Sequence, residues 1–325
     1  MAMMKKAFFL TFISVLMISL FIMVFSTNLA VKVPEASDTS WAKVDTIDRF
    51  TRDLKSVYLE KALQAASISA FRSMAAYMAA NPSKNMSDLS ANFTELVLFG
   101  TLGGVPQPGM QNNTLANWSR RMENLSYEHL RIKSNLTYGS FKLMQTNPWV
   151  VTVQAEFFLR TSKKDVNYRI DETVRVNVSI VGLPDPLFAK HGQSRVVKPT
   201  NITNWTIDNA LLHLQNGWFR RNTNNSAPSY LMRFSNNLTN STCCGIESLV
   251  NGSVGEYNRS YVDYKFWNGT DDKCVLGWNV DPVFVVPGLS DTAVGGFGNF
   301  RLEGEDFKAY TNLTSSSMAD NRCYS

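Results

Sequence analysis

The chain has three histidines, His129, His191 and His213, and they are scattered. His129 leads into a strand pattern, His191 falls in a loop and His213 on a helix, so none has a neighbour spaced to make it a general base. The chain contains no HExxH pair for zinc, no GxSxG nucleophile elbow and no glycine-rich lysine loop for phosphate. Gly296-Phe297-Gly298 opens like a dinucleotide fingerprint but lacks the third glycine and the flanking strand and helix. Asp271 and Asp272, with Asn268 and Asp281 nearby, offer the oxygen ligands that calcium takes, yet their spacing matches no calcium loop. Solvated loop acids are the simpler reading. Aromatic residues are dense at Tyr257, Tyr261, Tyr264, Phe266, Trp267 and Trp278. Such rings either stack on sugars or fill the core of a small disulfide-bonded subdomain. The sequence therefore assigns no catalytic, cofactor-binding or metal-binding residue, and implies no cofactor.

The cysteines point to a compartment. Cys243, Cys244, Cys274 and Cys323 all lie in the last third and form no CxxC pair, which favours disulfides over metal ligation. Neighbouring cysteines rarely bridge each other, so Cys243 and Cys244 are each expected to pair with Cys274 or Cys323, with the connectivity open. Asn-x-Ser/Thr with x other than Pro occurs 16 times, the first at Asn85, where chance would give about five. That excess implies a densely N-glycosylated cell-surface protein.

These features must be positioned by an anchor. Ala7 to Phe25 is a run of 19 residues without a charge, Pro, Gly, Asn or Gln, directly behind Lys5 and Lys6. As a helix it would be about 28 Å long, close to the hydrocarbon core of a bilayer. A cleaved secretory signal has a shorter apolar core and a small residue where Asn28 stands. A buried core helix would keep some polar face, and this run has none. Lys5 and Lys6 stay on the cytoplasmic side, so the sequence places a single-pass protein in the cell membrane with its C-terminal ectodomain outside. No sequon precedes the span. The net charge of +5 is spread through both signs, without the basic stripe that a nucleic-acid partner would require.

The sequence divides into a cytoplasmic tail (residues 1–6), a membrane helix (7–25), a linker (26–40), a helix-plus-sheet ectodomain (41–182) and a C-terminal α+β subdomain with the four cysteines (183–325). Helical spacing runs from Val44, Ile47, Phe50, Leu54, Val57 and Tyr58 on to Ala62, Ala66, Ala70, Met74 and Met78, ending by Asn81-Pro82. Shorter helices are predicted over 87–99 and 115–125. The period then changes to two. Leu130, Ile132 and Leu136 alternate with polar residues, Tyr138-Gly139-Ser140 reads as a turn, and Phe141 and Leu143 resume the apolar face. Val151 to Leu159 and Tyr168 to Ile180 complete an antiparallel four-stranded meander. Asn135 and Asn177 fall on its polar face, where a glycan could project. Residues 183–200 read as an exposed crossing. Beyond it the pattern predicts helices from Ile207 to Phe219 and from Glu303 to Tyr310, and a glycine-rich loop from Gly288 to Gly298.

Lys5-Lys6-Ala7-Phe8, the apolar helix behind it, the amphipathic continuation and the meander together resemble type IV pilins and pilin-like surface proteins, especially archaeal ones. The resemblance implies cleavage between Ala7 and Phe8 by a prepilin peptidase and a sheet laid on a long helix. Phe12 stands where bacterial members carry a glutamate. The segments 227–234 and 245–250 look like parts of uncharacterised archaeal surface proteins with similar anchors. The expected function is a non-enzymatic surface protein, a pilin-like structural subunit or adhesin. Its partners are the lipid bilayer through Ala7 to Phe25, pilus-system subunits or further copies of itself, and surface glycans. An anchored glycan-active hydrolase and a ligand-sensing ectodomain are the alternatives.

Overall fold

The computed structural model describes residues 38–164, 166–222, 226–250, 261–268, 283–285, 301–303, 309–310 and 319–320. The apolar run Ala7–Phe25 lies outside them, and among the described residues no helix is long and apolar enough to cross a membrane. The chain divides into two units, Met1–Phe50 and Thr51–Ser325. In the first, helix α1 (Asp38–Asp53) begins, with Arg49 donating to Asp45 at 3.0 Å one turn earlier and Trp41 left 78% exposed.

In the second unit a π turn (Leu54–Tyr58) leads into α2 (Leu59–Ala80). Leu54 and Leu59 are both buried although five positions apart, a spacing that ordinary α turns would send to different faces. The wider turn absorbs the extra residue and keeps both on the core side. It also turns Val57 outward, to 59% exposure, against the expectation from spacing, while the Tyr58 hydroxyl donates to the Trp118 carbonyl at 2.7 Å. Along α2 the buried positions Ala62, Ala66, Ala70, Met74 and Met78 follow the predicted stripe, and Leu63 is buried beside them. Small residues there permit close approach. Gly109 backs onto Ser73 so tightly that an added Cβ would lie 2.5 Å from the Ser73 hydroxyl oxygen.

Helix α3 (Leu89–Phe99) starts at Asp88, whose carboxylate accepts from the Ala91 amide at 2.9 Å. A small hairpin, β1 (Thr101–Leu102) and β2 (Val105–Pro106), connects it to α4 (Leu115–Leu130), which Thr114 caps through the Asn117 amide at 3.1 Å. Because α4 runs on to Leu130, His129 and Leu130 close a helix instead of opening a strand. Arg131, in the left-handed conformation at φ 55°, turns the chain into the sheet.

That sheet has three strands, β3 (Lys133–Asn147), β4 (Val150–Lys163) and β5 (Val166–Ser179), in the order β3-β4-β5, and not the four expected. The difference lies at Tyr138-Gly139-Ser140, which is a bulge and not a turn. Tyr138 faces Phe157 and Phe141 faces Ala155, so Gly139 and Ser140 together oppose Glu156. Glu156 makes this possible by accepting from the Ser140 amide at 3.1 Å. Gly139 has no room for a side chain, since a Cβ there would lie 2.9 Å from the Glu156 Cβ. On β4 the alternation is as predicted, with Val151, Val153, Ala155, Phe157 and Leu159 buried, and Asn135 and Asn177 are both exposed.

The segment read as an exposed crossing is largely internal. Leu183, Leu187 and Phe188 are buried, and Asp185 caps α5 (Pro186–Lys190) by accepting from the Leu187 and Phe188 amides, each at 3.0 Å. The local cap satisfies the turn's backbone, which frees its apolar side chains to pack on α2. Next come α6 (Ile207–Asn216), β6 (Phe219–Arg221), α7 (Tyr230–Phe234), β7 (Ile246–Val250), β8 (Tyr261–Val262) and α8 (Asp263–Asn268), with an antiparallel sheet in the order β6-β7-β8. Three short strands, β9 (Val283–Val285), β10 (Arg301–Glu303) and β11 (Ala319–Asp320), form a third sheet, so Glu303 closes a strand where a helix was expected to begin. Cys243 and Cys244 are disulfide-bonded to each other, which corrects the expectation that each would reach a distant partner. Both sulfurs rest 3.3 Å from the Gln145 carbonyl oxygen, so the turn before β7 holds them side by side against the end of β3. Cys274, Cys323 and the Gly288–Gly298 loop lie outside the described residues.

Phe71 of α2 joins these elements, its ring 5.2 Å from Phe93 and 6.0 Å from Tyr230 between centroids. Phe71→Ala is expected to cost about 3–5 kcal/mol, read as a lower urea midpoint with an unchanged m-value.

Candidate binding site

Strand β6 carries the residues from which a site can be built. Its partner β7 puts Glu247 opposite Arg220 and Ile246 opposite Arg221. Glu247 is fully buried and takes Nε of Arg220 at 2.5 Å, the Tyr310 hydroxyl at 3.2 Å and the Asn222 side-chain amide. Arg220 also donates to the Ala309 carbonyl at 2.9 Å. Its guanidinium lies 3.5 Å from the Tyr310 ring centroid and 5.2 Å from that of Trp205, a geometry in which the cation faces both π systems.

Above this floor opens a pocket of about 560 Å³. Trp149, from the β3–β4 turn, and Trp205, just before α6, supply broad apolar surface, and Thr200 and Ile202 come from the loop that leads into α6. Arg221 provides the exposed donor beside Arg220 and Asn222, and among the described residues no carboxylate lines the wall. Arg221 is exposed and forms no ion pair with a described residue. The volume falls in the range of ligand sites, and apolar faces with a few convergent donors suit a polyhydroxylated or anionic group. A second pocket of about 410 Å³, at the Lys133 end of the sheet, is bordered by Lys133, Asn135, Arg160 and Arg169. Arg169 there is already held by Asp171, at 2.8 Å.

Behind the first pocket His213 packs edge-on to Trp205 and Tyr310, with centroids at 5.2 and 5.6 Å. It is fully buried and neither ring nitrogen has a hydrogen-bond partner. Burial, reinforced by Arg220 and Arg195, pushes its pKa down to about 3, so the ring stays neutral. The helix expected for His213 is present as α6, and the ring on it is neither solvated nor hydrogen-bonded among the described residues. His191 ends α5 and stacks on Trp267 at 4.7 Å, its pKa lowered to about 4 by burial and then by Lys190. His129 is exposed.

Beneath lies a second buried network. Arg233, with no exposure, donates through Nη1 to Asp185 at 3.1 Å and to Asp263 at 2.8 Å, and through Nη2 to the Ile246 carbonyl. Burial alone would lower the Arg233 pKa, but the two aspartates raise it, so the guanidinium stays charged. Asp263 is pushed up to about 6 by burial, and the pull of Arg233 offsets only part of that.

Of the aromatic run, Tyr264 belongs to the core and Trp267 packs on Phe188 at 4.6 Å, while Tyr257 and Trp278 lie outside the described residues. Asp271, Asp272, Asp281 and Gly296-Phe297-Gly298 also lie outside them. Among the described residues no cluster of His, Cys, Asp and Glu could hold a metal ion. The pocket residues escaped sequence reasoning. The available signal was Glu247 inside Ile246–Val250 and Arg233 inside Tyr230–Phe234, single charges set in short, mainly apolar runs. Comparison of the chain with protein-family models, curated proteins and solved structures gives no match. What the coordinates define is an α+β protein with a long helix and a three-stranded antiparallel sheet.

Two measurements probe these networks. Arg233→Met strands two buried carboxylates and is expected to cost about 3–5 kcal/mol in denaturant unfolding. His213 has a folded pKa below its unfolded value, so the unfolded chain binds the extra proton and stability falls as pH drops from about 6.5 towards 3. Asp263 acts with the opposite sign between about 4 and 6, so the variant must be compared with the parent. His213→Phe is expected to leave stability at pH 7 nearly unchanged and to flatten the acid limb of that difference.

Proposed function

We propose that this chain is a membrane-anchored, N-glycosylated extracellular surface protein, a pilin-like structural subunit or adhesin that performs no catalysis. The observation that carries the reading is where the sequons fall. Burial is described for eleven sequon asparagines, nine of them exposed and two, Asn92 and Asn117, partly buried. For Asn135 and Asn177 this depends on strand register, since a slip of one residue would turn both inward. A long helix with an antiparallel sheet packed beside it supports the pilin-like part. In this reading Ala7–Phe25 is the anchor, and the partners are the bilayer, pilus-system subunits or further copies, and surface glycans.

A glycan hydrolase would need two carboxylates facing a cleft at roughly 5–10 Å. Neither described pocket has an acid in its wall, and Asp185 and Asp263 are buried and bonded to Arg233. That geometry favours binding over hydrolysis as the work of the Trp149 and Trp205 pocket.

The test is fractionation of the full chain from a glycosylating host. The expected result is a membrane-bound glycoprotein that resists alkaline extraction, or sheared filaments whose subunits begin at Phe8. Recovery of an unglycosylated chain in the soluble fraction would sink the reading.

A further inference from the structure

The pocket sits beside a sequon. Asn201 lies between Thr200 and Ile202, both of which line it, so its Cα is within about 4 Å of two wall residues by chain geometry alone. Asn201 and Thr203, the two residues that define the sequon, are exposed, and neither side chain bonds to a described residue. The neighbouring sequon at Asn204 is differently placed. Its hydroxyl residue, Thr206, caps α6 by accepting from the Asn209 amide at 3.2 Å. Its middle residue, Trp205, packs on His213 and Tyr310, and the Asn204 carbonyl accepts from Asn209 at 2.7 Å. Both asparagines are exposed, but of the two sequons that of Asn201 is the one with no residue committed to capping or packing α6.

We propose that Asn201 carries an N-linked glycan whose first sugars fold back into the adjoining pocket, against Trp149 and Trp205. The inference rests on the glycoprotein reading above and adds to it a site and a seat. The CH faces of a pyranose ring stack on indole, and its hydroxyl oxygens accept from the exposed Arg221. With no carboxylate among the described wall residues, Arg221 also suits an acidic substituent on the sugar. Tethering makes weak stacking sufficient, because a ligand attached a few ångströms from its seat is present at high effective concentration. The seated glycan would bridge the β3–β4 turn, the loop before α6 and the end of β6.

The full chain purified from a glycosylating host tests this in two readings, glycopeptide mapping and hydroxyl-radical footprinting of the tryptophans. Expected are a modified Asn201 and a rise of about threefold in oxidation at Trp149 and Trp205 in Asn201→Gln, because a seated ligand hides most of the surface it touches. Trp41, already 78% exposed, serves as the unchanged control. Thr203→Ala removes the same sequon through a different exposed residue and must reproduce the rise, which separates glycan loss from a local effect of glutamine. An unmodified Asn201 on a chain glycosylated elsewhere overturns this inference and leaves the glycoprotein reading standing. A chain with no glycan anywhere removes both. A modified Asn201 with unchanged tryptophan reactivity in both variants overturns the seat.

Discussion

Arg233 is the charge on which the C-terminal half depends. A guanidinium without solvent exposure would be far too costly to bury unless its charge were met, and here three different parts of the chain meet its two Nη groups, with Nε alone left unpaired among the described residues. Asp185 comes from the cap of α5, Asp263 from the start of α8, and the Ile246 carbonyl from β7. Asp185 serves twice, since its other oxygen caps the α5 turn. The ion cluster therefore ties a local helix cap to long-range docking. Non-directional apolar contacts around Phe71 supply much of the drive to collapse, but the geometry of the ion cluster selects which collapsed arrangement is kept.

The same strand links that cluster to the surface. Ile246 faces Arg233 through its carbonyl, and Glu247, the next residue, holds Arg220 beneath the Trp205 ring. Arg220 is fixed by a carboxylate, a carbonyl and two aromatic faces before any ligand arrives. A donor held this way loses little freedom on binding, and that is what makes a pocket selective.

Much of the framework was legible in the sequence because it rests on short-range periodicity. The stripe from Ala62 to Met78 and the alternation from Val151 to Leu159 are each repeated signals, and both appear in the fold. What could not be read depends on a single residue meeting a distant one. Gly139 looked like a turn because the accommodating Glu156 is on the next strand. Residues 183–190 looked exposed because their polar members, Asp185 above all, are satisfied by a partner 48 positions away. The π turn, in the same way, was hidden in a spacing of five between Leu54 and Leu59 that resembles noise. Trp149, Trp205 and Arg220 are spread over three segments, and no local pattern joins them.

The bulge at Gly139 and Ser140 has a further consequence for the molecule among its neighbours. β3 is an edge of its sheet and, at 15 residues, an unusually long one. An uninterrupted edge of that length offers a ladder of unpaired amides and carbonyls on which another chain could zip. The bulge breaks the ladder near its middle and twists the two halves out of one line. Lys133 and Lys142, both exposed, put charge along the same strand. Where copies of the chain meet, β3 is thereby shaped to resist strand-to-strand pairing along its free edge.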